Sequence, residues 1–543
     1  MVYGGAVVLL AALVTCGRVS RANKTAPAMV SPGPSIGINL AESAFWSAQW
    51  TFVDLIKRTA AWSGKEGQTY KADENGWVTW LAPNERVVAR IGGDELPNAN
   101  FPLGRYVATY NGKGHLTIEC HGCKEVRRAP GRLVVDVLDT SAVYIGVDAV
   151  DPSDYLRDLS VVPIELEQTY QKQPFHPRFL DMLRSFSALR FSVIQRTVGS
   201  TQVHWADRTR PTQAFQSGDN GVALELLVQL ANQSGADPWF CIPVRADDDY
   251  VRNFARTVLA GLDPKRTVYL EYGNEIWNEA YPFNVDGGWM TKRGRDLNIP
   301  LNRSDDPSDM TYRLRYQAIR SREIFEMFQH EMDALKLPRS RLVRVLSSQA
   351  AYYDRIRFTL DYRFPDGSYA YQHADALGVA PYFGIGDNND AAENRWSVDQ
   401  ILDQADCVVG RPGAGCPGAT GDTVPEVVKA DHDLAASRGL RLLGYEGGQH
   451  LVAYNRHPAF VEKLAAVNRS PRMKDIYKRY LEAWKDNGGD LMMLYMSVGA
   501  YGIYGYWGLL ERQDQPLAET PKLAGALEFM DAHPRPLAVP GSH

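Results

Sequence analysis

The stretch Thr267-Val-Tyr-Leu-Glu-Tyr-Gly-Asn-Glu-Ile-Trp-Asn278 opens as an apolar run and breaks at Gly273. A short continuous run of this kind fits a parallel strand buried on both faces. The break sets Asn274 and Glu275 side by side at the strand's carboxyl end. A second run, Leu442-Leu443-Gly444-Tyr445, ends on Glu446 and is followed by Gly447-Gly448. The two segments therefore deliver one carboxylate each to the same end of a parallel sheet.

Working outward, six further runs alternate with helical patterns. Ser35-Ile-Gly-Ile-Asn-Leu40 reads as the first strand, with Phe52 to Arg58 as the helix of its unit. Ala188 to Val193 is the second strand and Pro238 to Pro243 the third, after a helix from Val222 to Leu230. Glu275 ends the fourth. Leu342 to Ser348 is the fifth, Ala376 to Phe383 the sixth, Glu446 ends the seventh, and Leu491 to Ser497 is the eighth. Helices are predicted over 249–262, 312–335, 474–487 and 523–529. Eight alternating units predict an α/β fold, a (β/α)8 TIM barrel, which keeps its reactive side chains at the strands' carboxyl ends.

The chain has 543 residues, about twice the roughly 250 of a plain barrel. The surplus falls mostly at 65–165, where short alternating runs such as Trp77-Val-Thr-Trp-Leu81 and the turn Asn111-Gly-Lys-Gly114 predict an antiparallel β-module inserted between the first and second units. The expected organisation is a leader at 1–22, barrel at 30–64, module at 65–165 and the rest of the barrel at 166–535. The leader reading rests on the apolar run Ala6 to Cys16, too short to span a bilayer but suited to a signal peptide cut after Ala22, so export from the cytoplasm is expected. Leu13-Val-Thr-Cys16 is a poor lipidation signal because Thr15 stands where a smaller residue is usual. No later segment has a charge-free run long enough to cross a membrane.

In an exported chain, Cys407 and Cys416 are the expected disulfide, and Cys120-His-Gly-Cys123 a local one, since no second pair completes a four-ligand metal site. Cys241 is expected as a buried small hydrophobe. Asn23, Asn232, Asn302 and Asn468 open glycosylation triplets, which predict exposed sites in a glycoprotein. A net charge of −5 with dispersed Lys and Arg excludes a nucleic-acid partner. No His/Asp/Glu spacing calls for a metal, nor any motif for a cofactor. The acidic triplet Asp247 to Asp249 reads as a helix cap.

Two glutamates facing one cleft point to glycoside hydrolysis. Retention of configuration requires carboxyl groups about 5 Å apart, one ionised to attack the anomeric carbon and one protonated to release the leaving group. Asn274 is placed to hydrogen-bond a sugar 2-hydroxyl, and Tyr382, at the end of the sixth strand, to hold Glu446 ionised. Glu271 competes with Glu275 as the acid but lies deeper in the strand, where a supporting role is more natural.

Tyr-Gly-Asn274-Glu275-Ile-Trp277-Asn on the fourth strand, with Tyr-Glu446-Gly-Gly on the seventh, resembles the clan-A retaining glycoside hydrolases. That resemblance implies Glu275 as acid/base and Glu446 as nucleophile. It also implies an aromatic platform at Trp507 and an Arg supporting the nucleophile at Arg190, and it matches the Tyr at 382. Trp277, His204, Trp205 and His450 complete the expected set of substrate contacts. The partner so implied is an oligo- or polysaccharide, its sugar chosen by loops that vary freely on this fold. Acidic polymers are admitted through Arg190, Arg208 and Arg245. The alternative is a non-catalytic carbohydrate-binding protein using Trp77, Trp80, Tyr106 and Tyr110 of the module.

Overall fold

A computed structural model describes residues 35–534 apart from 66–68, 94–99, 140–141, 302–306, 386–394, 411–415, 417–422 and 454–456. The expected leader, Asn23 and Asn302 lie outside the described residues.

The chain opens on β1 (Ile36–Asn39) and passes through nine strands of the module: β2 (Tyr70–Ala72), β3 (Val78–Leu81), β4 (Val87–Ile91), β5 (Gly104–Asn111), β6 (Gly114–Glu119), β7 (Cys123–Ala129), β8 (Arg132–Val137), β9 (Val143–Val150) and β10 (Arg157–Pro163). It then returns through β11 (Ala188–Arg190), β12 (Asp237–Ile242), β13 (Val268–Tyr272), β14 (Leu342–Ser347), β15 (Ala376–Val379), β16 (Arg441–Gly444) and β17 (Gly489–Leu494). These seven and β1 close a parallel barrel in the order β1-β11-β12-β13-β14-β15-β16-β17. All eight expected strands are present, and the fold is a (β/α)8 barrel.

The helices are α1 (Pro177–Leu183), α2 (Leu224–Ser234), α3 (Asp248–Gly261), α4 (Phe283–Asp296), α5 (Asp309–Ala334), α6 (Tyr353–Leu360), α7 (Val398–Val408), α8 (Val424–Ala436), α9 (Pro458–Arg469), α10 (Arg472–Asp486) and α11 (Pro521–Ala532). Asp247 caps α3 by accepting from the Tyr250 amide, as the acidic triplet predicts. Helix α4 falls outside the helices predicted from the sequence.

The module enters earlier than expected. Leu55–Arg58 is one 3-10 turn, not the helix of the first unit, and that helix, α1, follows the module. The cause is a long-range contact: the Asp54 carboxylate accepts from the Ile56 amide at 3.1 Å and from the Val161 amide of β10 at 2.8 Å. The turn is thereby tied to the module, and its Leu55 and Ile56 join the module's core with Ile91, Tyr106, Leu116 and Ile145. The module consists of a four-stranded sheet (β10-β5-β8-β7), a three-stranded sheet (β4-β9-β6) and the hairpin β2-β3. Trp77 and Tyr106 are buried in it, which removes two of the four aromatics on which the binding-protein alternative rests.

Cys120–Cys123 and Cys407–Cys416 are disulfide-bonded, and Cys241 is free and buried. The expectation of an exposed glycosylation site fails at Asn468. Its side chain is fully buried, donating to the Leu464 carbonyl and accepting from Lys522. Asn232 is exposed. Among the described residues no helix is long and apolar enough to cross a membrane.

Candidate active site

Strand β13 is buried at every position, which fixes its register and the direction of the turn after it. Gly273 turns the chain with φ +71°, where a Cβ would meet Ile276 at 2.8 Å. Glu275 itself holds φ 46°, a left-handed conformation that costs a non-glycine residue about 1–3 kcal/mol and clusters at functional sites. The strained turn directs Glu275 into a cleft of about 620 Å³ at the carboxyl end of the barrel, lined also by Glu446, Tyr382, Tyr445, His450, Tyr495 and Trp507.

The two carboxylates have unlike partners. Glu446 accepts from Arg190 Nη1 at 2.8 Å and from the Tyr382 hydroxyl at 3.0 Å. Glu275 accepts from the Tyr445 hydroxyl at 3.2 Å and from Asn278 Nδ2 at 3.0 Å, and among the described residues no cation pairs with it. Burial pushes Glu446 up to about 8, against the opposing pull of Arg190. Burial raises Glu275 as well, partly offset by its two donors. A negative charge on Glu275 raises Glu446 further. The contact geometry decides where the first negative charge rests: the guanidinium touches Glu446, so Glu446 ionises first and the remaining proton stays on Glu275.

Arg190 is the hub beneath the cleft. Fully buried, it also donates to Glu271 Oε2 at 2.8 Å, Asn274 Oδ1 at 2.6 Å and Asn39 Oδ1 at 3.1 Å. Glu271 accepts further from Trp239 Nε1 at 2.9 Å. Its carboxylate is thus committed beneath the cleft, as expected for a supporting group. The Arg190 contact also holds the side-chain oxygen of Asn274.

Trp507 is half-buried and sits edge-on to Tyr382, His450 and Tyr495 at 5.9, 5.1 and 5.7 Å between ring centroids. Burial pushes the His450 imidazole below its ordinary value, which keeps it neutral at pH 7. Trp277 lines the cleft and packs against Tyr445 at 6.1 Å.

The structure therefore brings Glu275, Glu446, Tyr382, Trp507, Trp277 and His450 to one cleft, with Arg190 and Asn274 immediately below. His204 and Trp205 are not among its lining residues. His204 pairs with Asp247 at 2.7 Å, while Trp205 packs edge-on to Tyr250 at 5.5 Å beneath the Arg208 guanidinium. Arg208 pairs with Glu225 at 2.9 Å, and neither it nor Arg245 lines the cleft. Sequence reasoning missed Tyr445, Asn278, Tyr495 and Arg355. Tyr445 and Asn278 stood in view, one residue before Glu446 and three after Glu275. Among the described residues no group of three or more His, Cys, Asp or Glu side chains is arranged to hold a metal ion.

No family model and no curated protein matches the chain. Solved structures do match, all at low identity. An endo-β-1,4-mannanase of Cellulomonas fimi is 12% identical with a TM-score of 0.31, over 63% of this chain and 62% of that one. A 4-O-α-L-rhamnosyl-β-D-glucuronidase of Fusarium oxysporum is 8% identical with a TM-score of 0.37, over 67% and 66%. An endo-1,4-β-D-mannanase of Thermotoga petrophila is 11% identical with a TM-score of 0.32, over 65% and 94%. The chain spans less than two thirds of the length of the first two. Likeness at this level says nothing of substrate, and the fold stands on the closed barrel itself.

Proposed function

We propose that this chain is a retaining glycoside hydrolase acting outside the cytoplasm on a polysaccharide or glycoconjugate. The observation that carries the reading is the pair of cleft carboxylates with unlike partners, Glu446 against a buried guanidinium and Glu275 against neutral donors only. Glu446 attacks the anomeric carbon as the glycosidic bond breaks, and Glu275 gives its proton to the departing oxygen. Glu275, now ionised, takes a proton from water, which displaces Glu446 from the glycosyl ester and restores both groups. Arg190 and Tyr382 favour the charged nucleophile before attack. Asn274 is positioned to donate to a sugar hydroxyl, and Trp507 offers a ring to a pyranose face. The apolar run at 6–16 and the two disulfides support export.

The test is hydrolysis of a panel of plant, fungal, bacterial and animal glycans by wild type, Glu275→Gln and Glu446→Gln, with early product anomers read by NMR. Retained configuration and a loss of about 10³-fold or more in both variants are expected. An inverted first product rules out the assignment of Glu446 as nucleophile. Glycan binding without turnover, unchanged in both variants, moves the protein to the carbohydrate-binding class.

A further inference from the structure

Four formal charges line the cleft among the described residues, and three already have opposite charges or a chemical task. Glu275 and Glu446 are the reacting pair. Glu279 pairs with Arg313 at 2.7 Å. The fourth is Arg355, in the first turn of α6 beyond β14. Its Nη1 donates to the Gln349 side-chain oxygen, and its guanidinium lies 4.7 Å from the centre of the Tyr352 ring. No described carboxylate pairs with it. The adjacent Asp354 pairs with Arg357 at 3.2 Å.

Both groups that hold Arg355 are neutral, so they orient the guanidinium without cancelling its charge. One of its five N–H donors is used, leaving a planar fork matched to an anionic group. Tyr352 also lines the cleft and is 52% exposed, placing aromatic surface beside the cation. A neutral sugar chain needs no such cation, whereas for an acidic one it offsets the repulsion of the ionised Glu446. Arg208 and Arg245, candidates for this role in the sequence, do not reach the cleft.

We propose that the cleft is built for an anionic glycan and that Arg355 receives a carboxylate or sulfate carried by a sugar ring near the cleaved bond. This inference rests on the glycosidase reading and names the substrate class of the same site. Arg355 acts on specificity: it holds the substrate's charge and takes no part in proton transfer.

The test uses the full chain carrying Glu275→Gln, so that bound oligosaccharide is not consumed, with affinities measured by calorimetry. The probes are uronic-acid oligosaccharides, their carboxyl-reduced neutral counterparts, and sulfated oligosaccharides of equal length. The expected result is a preference of about 10- to 100-fold for one anionic set over its neutral counterpart. Adding Arg355→Gln reduces it to within about threefold, while Arg355→Lys, with charge but no fork, keeps part of it. Which anionic set binds distinguishes carboxylate from sulfate. Equal affinity for charged and neutral chains overturns the proposal and leaves the glycosidase reading standing, as does a preference that survives Arg355→Gln. Failure to bind any oligosaccharide, with both variants still folded by circular dichroism, overturns both readings.

Discussion

Removing the Tyr382 hydroxyl separates the roles of the two carboxylates. Tyr382→Phe keeps the ring, and with it the edge contacts to Trp507, His450 and Tyr495, but deletes the donor 3.0 Å from Glu446 Oε2. A hydrogen bond to a charged acceptor contributes about 1.5–3 kcal/mol, or about 1–2 pK units at 1.36 kcal/mol per unit. The hydroxyl favours the carboxylate, so its loss raises the Glu446 pKa. The acidic limb of the kcat/KM profile then moves to higher pH, by about 1 unit because Arg190 remains in place. Tyr445→Phe is the counterpart: it deletes a donor to Glu275, raises that group's pKa, and moves the alkaline limb upward instead. Both profiles are read on the glycan identified by the panel, and carboxyl ¹³C NMR titration of the two glutamates gives the same shifts without substrate. If both variants move the same limb, or neither carboxyl resonance shifts, the assignment of Glu446 as the group ionised first is refuted.

The same geometry sets three further outcomes. Burial raises the Glu275 pKa, so wild-type activity falls on the alkaline side as Glu275 loses the proton it must donate; a profile with no alkaline limb contradicts this. Glu271→Gln leaves buried Arg190 short of one of its two carboxylate partners, and breaking one side of a buried ion pair costs about 3–5 kcal/mol. A lower urea midpoint and a reduced kcat are expected together, and an unchanged midpoint argues against a structural role for the pair. Gly447→Ala places a Cβ 2.2 Å from the Tyr480 hydroxyl and 2.6 Å from Met492 Sδ, forcing Glu446 out of position. A displacement of about 1 Å costs about 100-fold in rate, so kcat should fall while far-UV circular dichroism is retained.

What the sequence made legible and what it hid divide along a physical line. The strand ends carrying Glu275 and Glu446 were readable because parallel strands are covered on both faces, so burial writes itself as an uninterrupted apolar run and the break marks the rim. Arg190 was expected from the family resemblance of these strand ends and not from the apolar pattern. The turn at Leu55–Arg58 was misread because its apolar spacing is that of a helix, whereas its fate was decided by Asp54 bonding to Val161, over a hundred positions away. Helix α4 escaped the helical pattern, with Gly287 and Gly288 adjacent inside it. Residue type alone does not tell which way a loop side chain points: Arg208 and Arg355 are both guanidiniums beside aromatics, yet one is spent on Glu225 outside the cleft and the other faces into it.

That division bears on function as well as on fold. The residues proposed to perform bond cleavage stand on strand ends, where the pleat and the barrel register leave little freedom, and their pattern is short enough to survive as a readable motif. The residues that choose the substrate stand on the turns after those strands and acquire their role only when segments far apart in sequence converge. Arg355 becomes a candidate receptor for charge because Gln349 and Tyr352 hold it without neutralising it, and because Arg313 has already taken Glu279. None of those relations has a signature in composition or periodicity. The proposed reaction class therefore rests on the strands and the proposed substrate class on the pairing of the rim charges, so altering Arg355 should change which glycan binds while leaving the route of cleavage the same.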